Sequence, residues 1–172
     1  REMNKGVEIK PADGKLGVLL PGLGAVSTTF IAGVIAARQG LRLPIGSLTQ
    51  MGTIRLGKRT DNRVPKIKDF VPLVPLENIE FCAWDIYPDD GYQSALTAGV
   101  LDRPLLDQVK SELEAIKPLP AVFEQKWVKN ISGPNVKKAK TKWDYAQLLM
   151  EDIQKFKEES KVDRMVMVWC AS

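Results

Sequence analysis

The chain has no histidine. That removes the side chain most often used as a general acid or base near neutral pH, and with it the commonest transition-metal ligand. Cysteine is scarce as well. Cys82 and Cys170 are the only two, and they form no C-x-x-C spacing, so neither a zinc site nor a disulfide framework is expected. Both lie in apolar runs, which marks them as buried thiols in a reducing compartment, hence a cytoplasmic protein. Excess charge is also lacking. A net +4 over 172 residues gives no argument for nucleic acid, although it would suit a phosphate-bearing ligand. No repeat or low-complexity segment is present.

What remains is an ordinary globular composition, 44% hydrophobic and 27% charged, in a chain long enough for one sizeable domain with its own core. Its most informative stretch is Lys15 to Val34. Leu16 to Leu20 is a continuous apolar run, as expected of a parallel strand covered on both faces. Gly22-Leu23-Gly24 follows, and then an apolar helix from Ser27 to Arg38, with Gly40 as its C′ residue. Strand, glycine turn and helix open a dinucleotide-binding βαβ unit. Gly22 permits the tight turn, Gly24 lets a phosphate approach the backbone, and the first helical N–H groups face it, favoured by the helix dipole. The fingerprint departs at its third glycine, where this chain has Ser27. The stretch has a rival reading. Leu16 to Ala37 carries no charge, and about 20 such residues can span a bilayer, but Pro21, Gly22 and Gly24 interrupt it.

Residues 1–14 read as a polar lead-in. Leu41 to Glu77, punctuated by Pro44, Pro65, Pro72 and Pro75, reads as a loop-rich insertion with at most a short strand or two, and insertions of this kind are usually functional. Ile79 to Ile86 is the next strand, β-branched and aromatic, and Asp85 lies near its end. In a dinucleotide fold an acidic residue there accepts hydrogen bonds from the adenosine ribose and disfavours a 2′-phosphate. The usual separation from the glycines is about 20 residues, and the insertion accounts for most of the excess here. Asp85 reads equally well as a turn residue before Pro88-Asp89-Asp90-Gly91.

Asp90 caps a helix over about Gly91 to Val100. Asp102 and Pro104 start another, with Leu105, Leu106, Val109, Leu113 and Ile116 as its stripe and an end before Pro118. Lys117 to Phe123 is a short extended segment. Glu124 to Thr141 is polar, with a turn at Ser132-Gly133-Pro134-Asn135. Lys137, Lys138, Lys140 and Lys142 form either an anion patch or a solvated loop, and no nucleic-acid motif accompanies them. Thr141 and Asp144 make a capping box for a helix from Trp143 to Glu159, whose buried stripe is Tyr145, Leu148, Leu149, Ile153 and Phe156. Arg164 to Trp169 is a second two-sided apolar strand, reached by a right-handed crossover. The fold class is therefore α/β, a Rossmann-like doubly wound parallel sheet. Because the sequence stops just after that strand, the sheet is expected to be incomplete at its C-terminus and the chain to be the front part of a longer protein. The domain expected is 15–172, with 41–77 inserted.

Several of these stretches together resemble one family, the myo-inositol phosphate synthases. Gly22-Leu23-Gly24-Ala25-Val26-Ser27-Thr28-Thr29 stands where the family has its glycine- and asparagine-rich NAD loop. Gly46-Ser47-Leu48-Thr49-Gln50, Trp84-Asp85-Ile86, Lys117-Pro118-Leu119-Pro120, and the pair Asp152 to Glu159 and Val168-Trp169-Cys170-Ala171 are similar to further family segments, in order. Ala25, Val26 and Ser27 in place of G-N-N, and Cys170 in place of a common threonine, are departures.

The resemblance implies an NAD-dependent isomerase. It would convert D-glucose 6-phosphate to 1D-myo-inositol 3-phosphate by internal oxidation, aldol cyclisation and reduction, in inositol and phospholipid biosynthesis. It places Gly22, Gly24, Ala25, Val26, Ser27, Asp85, Ile86, Ala121, Val122 and Ala171 at the cofactor. It leaves the catalytic lysines, the substrate-phosphate ligands and the tetramer contacts to later parts of the family's chain, so this stretch has no catalytic residue and would be inactive alone. The expected partners are a phosphorylated sugar and further copies in a homotetramer, without nucleic acid or membrane. A simple NAD-linked dehydrogenase and a non-enzymatic nucleotide-binding module fit the glycine turn as well.

Overall fold

The computed structural model describes residues 10–171; most of the lead-in therefore lies outside the described residues. Four parallel strands form one sheet in the order β3-β2-β1-β4: β1 is Leu16–Pro21, β2 Ile79–Asp85, β3 Leu119–Pro120 and β4 Arg164–Met167. Pro21 is level with Trp84, Leu16 with Arg164, and Trp84 with Leu119. The chain therefore moves outward from β1 through β2 to β3, then crosses back to the other side of β1. That reversal is the topological switch of a doubly wound sheet, and ligands bind such sheets outside the carboxyl ends of the strands beside it.

Alternation along β1 divides the core between two faces. Val18 and Leu20 point into a cluster with Ile31 and Ile35 of α1 (Ala25–Arg38), Tyr92 and Ala95 of α4 (Gly91–Ala98), Leu106 of α5 (Arg103–Gln108) and Leu113 of α6 (Lys110–Ala115). Leu19 points the other way, to Cys82 and Trp84, and Leu149, Ile153 and Phe156 of α7 (Lys142–Ser160) pack on these. The caps expected of Asp90, Asp102 and Thr141 are present: each accepts from the backbone N–H three residues on, at 2.9, 2.9 and 3.1 Å. Asp144 completes the box by accepting from the Thr141 N–H at 3.0 Å.

Four expectations are corrected. The helix after Asp102 is two, because Val109, with φ −107° and ψ 16°, breaks the helical path while its buried side chain keeps the stripe continuous. The α7 stripe is half-buried, with no fully buried member. β4 is exposed along its length and ends at Met167, leaving Trp169 beyond it and 74% exposed, because β4 is an edge strand of the sheet. Cys82 is buried but Cys170 is only half-buried. The insertion holds two one-turn helices, α2 (Leu48–Met51) and α3 (Ile67–Phe70). Between them runs an open hairpin, with the Ile54 N–H on the Pro65 carbonyl and the Leu56 N–H on the Arg63 carbonyl. Among the described residues no helix is long and apolar enough to cross a membrane, and the uncharged stretch is instead β1 and α1.

Candidate functional site

The end of β1 turns at Gly22, where φ is +94°. A side chain there would be strained, and its Cβ would lie 2.7 Å from the Ala171 nitrogen. The segment after β4, tied to β1 by the Cys170 N–H on the Pro21 carbonyl at 3.0 Å, therefore runs directly beside the turn. Gly24 caps α1 without any side-chain acceptor, and the first turn of α1 carries no acidic residue. A Cβ at Gly24 would meet nothing within 4 Å among the described residues, which leave the space there open. Ala25 and Val26 are exposed there, Val26 to 66%.

Ser27 answers the missing third glycine. It is fully buried, and its hydroxyl donates to the Gly22 carbonyl at 2.5 Å. Thr28, also buried, donates to the Gly24 carbonyl at 2.8 Å. Both hydroxyls bond inward and backward, brace the turn, and leave the outward N–H groups to a ligand.

Asp85 ends β2 one register step beyond Pro21, and its carboxylate reaches across to the same turn. Oδ2 accepts from the Leu23 N–H at 2.7 Å, and Oδ1 from the Tyr87 N–H at 3.0 Å. An ionised carboxylate has about four acceptor positions, so two remain beyond these bonds. The structure shows the turn role of Asp85: it caps its own turn and clasps the glycine turn together. Ile86 follows, its carbonyl accepting from the Asn135 N–H at 2.8 Å. Ala121 lies just past β3, exchanging backbone bonds with Asn135 and Lys137, and Val122 is exposed beside it.

The carboxyl ends of the strands thus bring the ten expected residues to one edge of the sheet. These residues fit a dinucleotide. The turn is braced from behind, the space before Gly24 is open among the described residues, the first turn of α1 has no acid of its own, and the carboxylate of the next strand reaches the turn. A hollow of about 460 Å³ beneath β3, beside Arg38, Cys82 and Phe156, holds none of the ten. In it, burial and the nearby Asp152 push the Cys82 thiol up to about 12. The Gly46–Gln50 segment starts α2, which packs on α3. Asn135 was legible only as a turn residue; its bonds to both strand ends depend on the fold and leave no mark in the sequence.

The NAD-binding family model described as Myo-inositol-1-phosphate synthase matches residues 16–172. Inositol-3-phosphate synthase 1 of Bacteroides thetaiotaomicron is 49% identical over 166 residues, covering 96% of this chain and 38% of that protein. Inositol-3-phosphate synthase 1 of Oryza sativa subsp. japonica is 36% identical, over 92% of this chain and 34% of its own. The crystal structure of inositol-3-phosphate synthase from Caenorhabditis elegans superposes with a TM-score of 0.81 at 26% identity, over 95% of this chain and 35% of that one. The chain spans little more than a third of the length of these relatives.

Proposed function

Since the chain belongs to the myo-inositol-1-phosphate synthase family, matched over its NAD-binding region, we propose that this stretch holds NAD for the conversion of glucose 6-phosphate to inositol phosphate. In that role the N–H groups of Gly24, Ala25, Val26 and Ser27 receive the diphosphate. Asp85 accepts from the adenosine ribose hydroxyls. Ile86, Ala121, Val122 and Ala171 line the groove between the strand ends. NAD, when bound, supplies the hydride chemistry, and the protein supplies orientation and electrostatics. The chain's own part is to bind and orient. Ser27 and Thr28 keep the turn rigid, and Asp85 sets the distance between diphosphate and ribose through its bond to Leu23.

The observation that carries this reading is the 2.7 Å bond from the Leu23 N–H to Asp85, which joins the phosphate turn and the ribose carboxylate into one unit. Two readouts test it. NAD titrated against tryptophan emission should saturate, and Asp85→Asn should weaken binding about tenfold, the loss of a charge-assisted hydrogen bond. An unchanged affinity in that variant removes Asp85 from the site. Turnover by the intact protein should be redox-neutral; accumulation of NADH would make it a dehydrogenase instead. The family resemblance further supports a homotetramer working in the cytoplasm, in inositol and phospholipid biosynthesis. Two free cysteines agree with a reducing compartment.

A further inference from the structure

Past β3 the chain leaves the sheet, passes through Glu124–Ser132, and returns alongside itself. The Ala121 N–H donates to the Asn135 carbonyl at 3.1 Å, and the Lys137 N–H to the Ala121 carbonyl at 2.8 Å. At the return, Asn135 is bonded to two strand ends at once. Its backbone N–H donates to the Ile86 carbonyl at 2.8 Å, and its Nδ2 to the Asp85 carbonyl at 2.9 Å and the Pro118 carbonyl at 3.4 Å. Gly133 lies so close beneath that a Cβ would stand 2.2 Å from the Ile86 carbonyl oxygen. The loop is pressed onto the peptide that carries Asp85 and Ile86.

Two residues on, Lys137 Nζ meets Asp152 Oδ2 of α7 at 2.6 Å, with the two side chains only 9% and 19% exposed. The same Oδ2 accepts from Trp84 Nε1 at 2.7 Å. One carboxylate therefore joins the residue before Asp85 to the residue two after Asn135. A buried ion pair of this kind contributes little net stability, because desolvation offsets its attraction; its best-attested use is to fix register. Here the register it fixes is that of the returning loop against the end of β2.

We propose that Asn135 is a positioning residue for the nucleotide crevice, seated by the Lys137–Asp152 pair. This rests on the NAD-binding reading above. Asn135 holds the carbonyls of Asp85 and Ile86 from below, which aims the Asp85 carboxylate at Leu23 and the ribose. Without its side chain the Asp85 carbonyl loses its Nδ2 partner, the return loop holds this peptide only by the Asn135 N–H on the Ile86 carbonyl, and the carboxylate loses its aim while the sheet stays intact. The same carboxylate disfavours a 2′-phosphate, so discrimination between NAD and NADP reports its aim.

The test uses the intact protein, with NAD and NADP titrated by calorimetry and thermal unfolding followed in parallel. Asn135→Ala should weaken NAD about tenfold, the effect of one or two lost hydrogen bonds. It should lower the NAD over NADP preference by about fivefold or more and leave the unfolding temperature within a few degrees. Lys137→Met should do the same, and Lys137→Arg, which keeps the charge, should restore both readouts to within about twofold. Should Lys137→Met fail to fold, Lys137→Met combined with Asp152→Leu removes both charges and keeps the interior filled; it too should lose NAD affinity and preference. NAD affinity unchanged in Asn135→Ala overturns the proposal. So do losses that are equal for NAD and NADP and follow the unfolding temperature. If the unaltered protein fails to bind NAD, the functional reading itself falls, and this proposal with it.

Discussion

On one face of the sheet, fifteen buried residues run from β1 and β2 into α1, α4, α5 and α6. On the other, three do: Leu19, Cys82 and Trp84, with a half-buried helix laid over them. The difference begins in composition. α1 carries no charge until Arg38 and buries seven of its residues, whereas α7 alternates charge with apolar groups and buries none. The first face is a rigid block. The second is a lighter covering, held at its centre by a polar bond, Trp84 to Asp152. The crevice lies along the edge where the two meet. It takes its glycine turn from the rigid block, and its return loop and Ala171 from the lighter side. Sites built on rigid elements are the more accurately held, so on the proposed reading the diphosphate end should tolerate less change than the adenosine end.

The comparison breaks if mutations on the two faces cost the same. Leu106→Ala, in the fully buried cluster, should cost about 3 kcal/mol in denaturant unfolding. Ile153→Ala, on the inner side of the half-buried helix, should cost about 1.5 kcal/mol, because only part of its side chain leaves water on folding. Equal values would show that α7 seals its face as tightly as α1 does.

Cys82 sharpens the contrast through pH. Its thiol is held at about 12 against an ordinary 9.0 by burial first and Asp152 second. A raised value means that its stability contribution is complete below pH 9 and is lost as pH climbs from 9 towards 12. The loss should be about 1 kcal/mol over the first unit, visible as a falling denaturant midpoint that Cys82→Ala abolishes. The half-buried Cys170 should react with a thiol reagent well before Cys82 does. Trp169→Ser, at 74% exposure, should change stability by less than about 0.5 kcal/mol.

The same division explains what could be read in advance. β1, α1, the glycine turn, the caps at Asp90, Asp102 and Thr141, and Asp85 at a strand end are all written in local periodicity and cap chemistry, and they fold as read. The features that were not legible depend on neighbours distant in sequence. Arg164 to Trp169 is as apolar as β1, yet it lies at the sheet edge, and composition alone cannot say which strand is central. The break at Val109 keeps an unbroken apolar stripe, so the pattern conceals it. Ser27 reads as a defect in a glycine fingerprint until its bond to Gly22 shows what the hydroxyl does. Asn135 looks like any turn residue until Asp85 and Pro118 are brought beside it.

The packing at Gly22 separates two kinds of constraint that a motif runs together. The main chain of Cys170 and Ala171 fills the place a Gly22 side chain would need, so that glycine is demanded by the protein's own backbone. Gly24 faces open space among the described residues, so no neighbour there demands it; on the proposed reading the nucleotide does. A descendant that had abandoned the nucleotide would keep the first glycine and be free to drift at the second. The first glycine of the pair is thus a record of architecture, and on the proposed reading the second is a record of the ligand.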